Sequence, residues 1–268
     1  MHIHNDMHFF YLFEEYDRYF LKSLSCAIMN VKKVNKMCKT TLQEEIKALM
    51  SLYHLGKAPL SYALGFGEVT ITRYLQGSTP HPDYAQVIHS ALCDIDYMMD
   101  LVNSNHEKMG PAFKKAINRC LELKSQFSCS KEILEVISYL FYKLEELTPM
   151  QLESYLYFIQ AYSYPEPLFH EHCEAWKQGV IYPDVYHLFS TFPFKVQDDV
   201  RYKIIEDAYL HLDDSKKQFI DDILNTFSRY PLKTLVTLAK TGPWKNNYQE
   251  DKVTVIPQQD IQNYFKRN

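Results

Sequence analysis

The residues with the most chemical potential sit together at 170–174, His-Glu-His-Cys-Glu, three kinds of metal ligand in five positions. Two imidazoles grip one ion from a helix when they stand four apart, as in His-Glu-x-x-His, and this run lacks that spacing, so it reads as structural. His2, His4 and His8 lie in the terminal segment, where affinity for a nickel column is their expected consequence. The aspartate pairs 198/199, 213/214 and 221/222 would have to converge to hold magnesium, and each is accounted for as a helix cap or a solvated face. The six cysteines, at 26, 38, 93, 120, 129 and 173, contain no Cys-x-x-Cys pair and no dense framework, which predicts reduced thiols. No Gly-x-Ser-x-Gly, phosphate loop or paired Cys/His signature supplies a nucleophile. The expectation is a protein that binds rather than catalyses, with no cofactor and no metal.

Glycine gives the next signal. The chain has seven glycines, and Gly56, Gly65, Gly67 and Gly77 fall within one short stretch. Residues 59–77, PLSYALGFGEVTITRYLQG, read as a helix over Pro59–Leu64, a turn at Gly65-Phe66-Gly67 and a second helix over Glu68–Gln76, closed by Gly77. Leu60, Leu64, Ile71 and Leu75 supply a small shared core, and Thr70, Thr72 and Arg73 project away from it. The pattern L-G-x-x-x-x-T-I-x-R-x-x-x-G resembles the turn and recognition helix of the Cro/repressor-type DNA-binding family. That resemblance implies base contacts from Glu68, Val69 and Arg73 and phosphate contacts from Lys57, Thr70 and Gln76. Arginine pairs with a guanine edge, glutamate accepts from cytosine, and threonine serves phosphate or base, so Thr72 joins the candidate set. Leu75 stands where the family has glutamate, and Ser61 where it has alanine. The local charge is weak, Lys57 and Arg73 against Glu68, which implies dimeric binding.

The elements that must position these residues are helical. Apolar periodicity predicts helices over about 9–28, 41–54, 83–101, 111–125, 131–145, 149–162, 199–211, 215–228 and 257–266. The fold class is mainly α, with at most a few short strands. One candidate strand, Val253–Ile256, is expected to pair near Phe192–Phe194. Start signals stand at Asp213-Asp214-Ser215, at Thr148-Pro149 and at Pro257. The polar stretch 125–130 separates a first domain, 1–126, from a second, 131–268. At 268 residues and 46% apolar the chain has material for a core without staples. It lacks a run long enough to span a bilayer, and its acidic opening is unlike a signal peptide, so a cytoplasmic protein with no membrane contact is expected. Of the net charge of −4, residues 1–126 hold 14 Lys and Arg against 13 Asp and Glu, leaving 15 against 20 for the rest. The second half thus suits a basic protein partner, while the first half reaches DNA only through local patches such as Lys32, Lys33, Lys36 and Lys39. The aromatic helix at 8–30 either caps the first domain or forms a homodimer seam.

Residues 151–189, QLESYLYFIQAYSYPEPLFHEHCEAWKQGVIYPDVYHLF, with DDVRY at 198–202 and TGPW at 241–244, resemble the Panacea domain, the neutralising domain of bacterial and phage antitoxins. The landmarks are Leu156-Tyr157-Phe158-Ile159-Gln160, Ala175-Trp176, Gly179, Tyr182-Pro183, Tyr186, Phe189, Pro243-Trp244 and Tyr264-Phe265. Helical spacing makes most of them core residues. The chain departs from the family at Gln178-Gly179-Val180-Ile181, where His-Gly-Pro-Val is usual, and at Ala239-Lys240-Thr241-Gly242, where a Thr-His pair is usual. The resemblance implies an antitoxin of a toxin–antitoxin system that binds its cognate toxin directly and regulates transcription at its own operator. A transcriptional regulator without a toxin and a proteolytic adaptor for a bound toxin are the alternatives.

Overall fold

The computed structural model describes residues 41–266 apart from Glu145, Tyr164 and Phe194. The expected helix at 9–28, the lysines at 32–39, the three terminal histidines, Cys26 and Cys38 lie outside the described residues. The first helix, α1 (Leu42–Leu52), starts at a capping box in which Thr41 Oγ1 accepts from the Glu44 amide and the Glu44 carboxylate accepts from the Thr41 amide at 2.7 Å. Its Ile46, Leu49 and Leu52 are fully buried, each worth about 1.5–3 kcal/mol of transfer free energy. They cover the short pair α2 (Lys57–Ala63) and α3 (Thr70–Leu75).

The expected single helix at 83–101 is two, α4 (Pro82–Cys93) and α5 (Ile95–Ser104). Asp94 ends one in an extended conformation and starts the next, its carboxylate accepting from the Tyr97 amide at 3.0 Å. Periodicity continues across the break because both helices bury the same face, so a cap residue within an apolar pattern is the signal to heed. A short turn of helix, α6 (His106–Met109), packs on α2 and leads to α7 (Ala112–Gln126).

From there α8 (Lys131–Lys143) starts on Ser130, and α9 (Pro149–Tyr162) on a Thr148–Gln151 capping box with proline in its first turn, as the Thr148-Pro149 signal predicts. A small antiparallel sheet follows: β1 (Cys173–Ala175) lies between β2 (Val180–Ile181) and β3 (Thr254–Ile256), with Cys173 opposite Ile256 and Ala175 opposite both Val180 and Thr254. The strand expected at 253–256 therefore forms, but its partner is β1 and not the segment near Phe192. Phe192 instead buries its ring against Phe189 as α10 (Pro183–Ser190) ends. Residues 199–211, expected as one α-helix, are short 3-10 turns at Val200–Ile204 and Ala208–His211. Asp199 caps the first through the Arg201 amide, and tight turns of this kind run only a few residues. The remaining helices are α11 (Asp214–Phe227), capped by Asp213 as expected, α12 (Leu232–Ala239), α13 (Pro243–Asn247) and α14 (Gln258–Lys266).

The fold is mainly α with three short strands, and one hydrophobic core runs from Ile46 to Ile261. The polar stretch at 125–130 is held rather than loose: the Ser130 amide donates to Glu171 Oε1 at 2.9 Å, and Arg201 Nη1 reaches Gln126 Oε1 at 3.4 Å.

The α2–α3 junction depends on one buried hydroxyl. Val69 occupies the cap position of α3 with no oxygen to offer, and Ser61 of α2 supplies it, its Oγ accepting from the Ile71 amide at 3.1 Å. Ser61 is fully buried, so Ser61→Ala leaves a buried amide unpaired. The variant is expected to lose about 1–2 kcal/mol in urea unfolding, which is the range for a lost cap or a buried donor left without its acceptor.

Candidate functional site

Two groups of residues compete for the description. In the first, Gly65 takes φ +76°, the left-handed conformation that lets the chain reverse between α2 and α3. Leu60, Leu64 and Ile71 are buried between the two helices, and Leu75 is half-buried against the core, which explains an apolar residue there. Tyr74 also enters the core, unanticipated from the sequence. Of the candidate contact residues, Lys57, Glu68, Arg73 and Gln76 are exposed, as is Val69 at 58%, while Thr70 and Thr72 are half-buried. The neighbouring Glu68 carboxylate pushes the Tyr62 hydroxyl above its ordinary range. The seven side chains therefore belong to one short structural unit, with five of them open to solvent.

The second group surrounds α9. This helix has no solvent face: from Leu152 to Ala161 every residue is buried, including Glu153, Ser154 and Gln160. Glu153, at 1% exposure, accepts from the Tyr182 amide at 2.8 Å. The Tyr182 hydroxyl donates to Gln160 Oε1 at 2.7 Å, and Gln160 Nε2 donates to the Glu171 carbonyl at 2.8 Å. Tyr157 is buried with its hydroxyl unpaired, against Phe158 and the edge of Phe265.

The hairpin between β1 and β2 carries the tryptophans. The Trp176 and Gly179 backbones exchange hydrogen bonds at 2.9 and 3.1 Å, and Trp244 Nε1 donates to both carbonyls, at 3.0 Å to Trp176 and 3.1 Å to Gly179. A side chain on Gly179 would stand 3.1 Å from the Met150 methyl and 3.6 Å from Val236, so glycine lets the hairpin approach α9 and α12 without displacing that methyl. Trp176 Nε1 donates to Glu174 Oε2, and its ring meets the edge of Tyr186. Pro183 begins α10, and Pro243 is buried at the start of α13.

Residues 152–245 match the family model described as Antitoxin SocA-like, Panacea domain. Comparison with curated proteins and with solved structures returned no match. Within the matched segment the departures from the family pattern have visible consequences. Lys240 donates to the Lys177 carbonyl at 2.8 Å and lies 4.4 Å over the Trp244 ring, so it fastens the hairpin to α12 and α13. Gln178 is exposed at the hairpin tip, while Val180 and Ile181 are buried in β2. Sequence reasoning missed Glu153, whose signal was a carboxylate inside the apolar run LESYLYFIQ, where no side of the helix offers it water.

The other clusters of reactive types come apart. His170 and His172 are exposed, Glu171 faces Ser130, Cys173 is buried in β1 and Glu174 holds Trp176. Among the described residues no group of three His, Cys, Asp or Glu side chains is placed to hold a metal ion, and no helix is long and apolar enough to cross a membrane. Burial pushes the Cys93, Cys129 and Cys173 thiols up to about 12 and Cys120 to about 11, so all four stay protonated at neutral pH. Asp199 does more than cap, holding Arg201 at 2.7 Å, and Asp221, inside α11, is no simple solvated face: it accepts from Lys143 at 2.9 Å and Tyr139 at 3.2 Å.

Burial raises the Glu153 carboxyl from its ordinary 4.5 to about 8, against the lowering effect of the Tyr182 amide. Between those values the folded protein keeps a proton that the unfolded chain releases, so stability falls as pH rises through this window and levels above it. Glu153→Gln keeps the acceptor and removes the titration. The stability difference between wild type and variant is expected to change by a few kcal/mol between pH 4.5 and 8, measured by urea unfolding across that range. A difference independent of pH would show that Glu153 is not protonated in the folded state.

Proposed function

We propose that this chain is the antitoxin of a toxin–antitoxin system: a cytoplasmic binding protein, without catalytic activity of its own, that holds a cognate toxin by direct contact and binds operator DNA. The observation that carries the reading is the Panacea match over 152–245, in a segment whose landmarks form one continuous core and hairpin. The DNA-binding part rests on the α2–α3 unit, which exposes Lys57, Glu68, Val69, Arg73 and Gln76 beside the half-buried Thr70 and Thr72. With one arginine and one lysine against one glutamate, a single unit makes few phosphate contacts, so binding as a homodimer on two half-sites is the arrangement that supplies affinity.

The toxin half is tested by expressing the full chain with the product of the adjacent reading frame. Co-purification and rescue of growth are expected, and failure of both would remove the antitoxin reading. The DNA half is tested on the promoter fragment upstream of the gene. Arg73→Ala should cost about 1–3 kcal/mol and relax base preference, whereas Lys57→Ala should weaken all sequences alike and reduce the salt slope by about one. Promoter affinity unchanged by Arg73→Ala would remove that residue from the interface.

A further inference from the structure

A cleft of about 620 Å³ opens where the end of α4 and the start of α5 face α8 and the 3-10 turns at 204–211. It belongs to neither group of residues described above. Its walls are largely apolar, with Ile95, Phe127, Leu134 and Ile205 among them, and Leu210 stands in its lining with 60% of its surface exposed. Leucine this exposed beside a concave apolar wall is surface that a partner would cover.

The charge around the cleft is unbalanced. Four carboxylates line it, Asp94, Asp96, Glu135 and Asp207, against two lysines, and one of these, Lys124, is already held by Asp96 at 2.6 Å. Asp94 is occupied in capping α5. Among the described residues, Glu135 and Asp207 have neither a hydrogen bond nor an ion pair from their side chains. Partial burial raises the Glu135 carboxyl, opposed by the fields of His211, Lys216 and Lys131, so a cation brought close to it would gain more than at a fully solvated site.

We infer that this cleft is a docking site for a basic amphipathic segment of a protein partner, its apolar side covering Leu210 and Leu134 and a lysine or arginine reaching Glu135 and Asp207. For the identity of that partner as a toxin the inference rests on the antitoxin reading; its chemical character comes from the cleft. A small neutral ligand would give neither carboxylate an ion pair, and an acidic partner would be disfavoured beside them. The acidic cleft would also steer a basic partner, so its association rate should fall with salt.

The test uses the full chain and two probes. The first is a synthetic amphipathic helix of leucine and lysine, with its leucine–glutamate counterpart as control; the second is the product of the adjacent reading frame. Wild type should bind the basic peptide and not the acidic one. The double variant Glu135→Gln/Asp207→Asn should bind it at least about tenfold more weakly, a loss of about 1.4 kcal/mol. Leu210→Ser, a change at an exposed position that spares the core, should weaken it as well. Leu121→Ser, 53% exposed on α7 and outside the cleft, should change nothing. The basic peptide should also displace the adjacent gene product. Equal peptide affinity in wild type and both cleft variants, or no peptide binding at all, overturns the docking site. An adjacent gene product that binds all variants equally and is not displaced overturns it too, while leaving the antitoxin reading intact. Peptide binding that depends on the cleft, together with no binding of the adjacent gene product, keeps the site and removes the toxin as its occupant.

Discussion

The second half of this protein is organised around a carboxylate that has nowhere to go. Glu153 lies in a helix buried on every side, and moving a polar group into such a place costs several kcal/mol unless the chain supplies a partner. The partner is the Tyr182 backbone amide, which fixes the point where β2 hands over to α10. Tyr182 in turn spends its hydroxyl on Gln160, two turns further along the same helix, and Gln160 holds the backbone at Glu171. Glu171 reaches Ser130, which caps α8. A chain of polar contacts thus places the start of α8, the approach to β1 and the end of β2 relative to one helix. Such networks favour one arrangement to the extent that their members are satisfied, and here Glu171 Oε2 is buried without a partner while the other links are made. Glu153 limits its own penalty by keeping its proton, as burial dictates.

Arg201 plays the corresponding part where the segment after α10 meets α7. Its guanidinium donates to both Asp199 oxygens, to the Thr191 hydroxyl and carbonyl and to Gln126, and lies 4.1 Å over the Phe192 ring. Five donors in one planar fork allow a single side chain to tie a helix end, a 3-10 turn and the stretch at 125–130. Because residues 199–211 are held in tight turns rather than in a helix, they form a wall opposite α4 and α5, and the acidic cleft is the space that wall leaves.

What could be seen in the sequence was what is local. Thr148-Pro149 and Asp213 marked their helices because a cap needs only residues three apart, and Gly65 marked the turn because positive φ is a property of one residue. The exposure of Arg73 and the burial of Tyr157 followed from helical spacing, whereas Thr70 and Thr72, expected to project from the core beside Arg73, are half-buried. What escaped was set by distant partners. Asp94 breaks a helix within an apolar pattern that continues on both sides, and β3 pairs with β1 across eighty residues of chain, a choice no spacing near Phe192 could reveal. Ser61 looked like a departure from a pattern and is the acceptor that α3 lacks.

The landmarks that carry the family likeness share a location. Tyr157, Gln160, Tyr182 and Pro243 are buried; Gly179 is pinned under Met150; and Trp176, Tyr186 and Trp244 are half-buried and spend their polar atoms or ring edges within the fold. A likeness written in such residues is a likeness of core and hairpin, and the core tolerates little change because packing there is close to that of a crystal. Partner choice must then be written in side chains the core does not use. Around the cleft, Glu135 and Asp207 make no hydrogen bond or ion pair from their side chains among the described residues, and Leu210 is 60% exposed, so the docking proposal places partner choice on them. On the docking proposal, one interior could serve different partners through changes of charge and apolar surface at one edge, since rejection of a wrong partner needs only an unanswered carboxylate or a misplaced cation there.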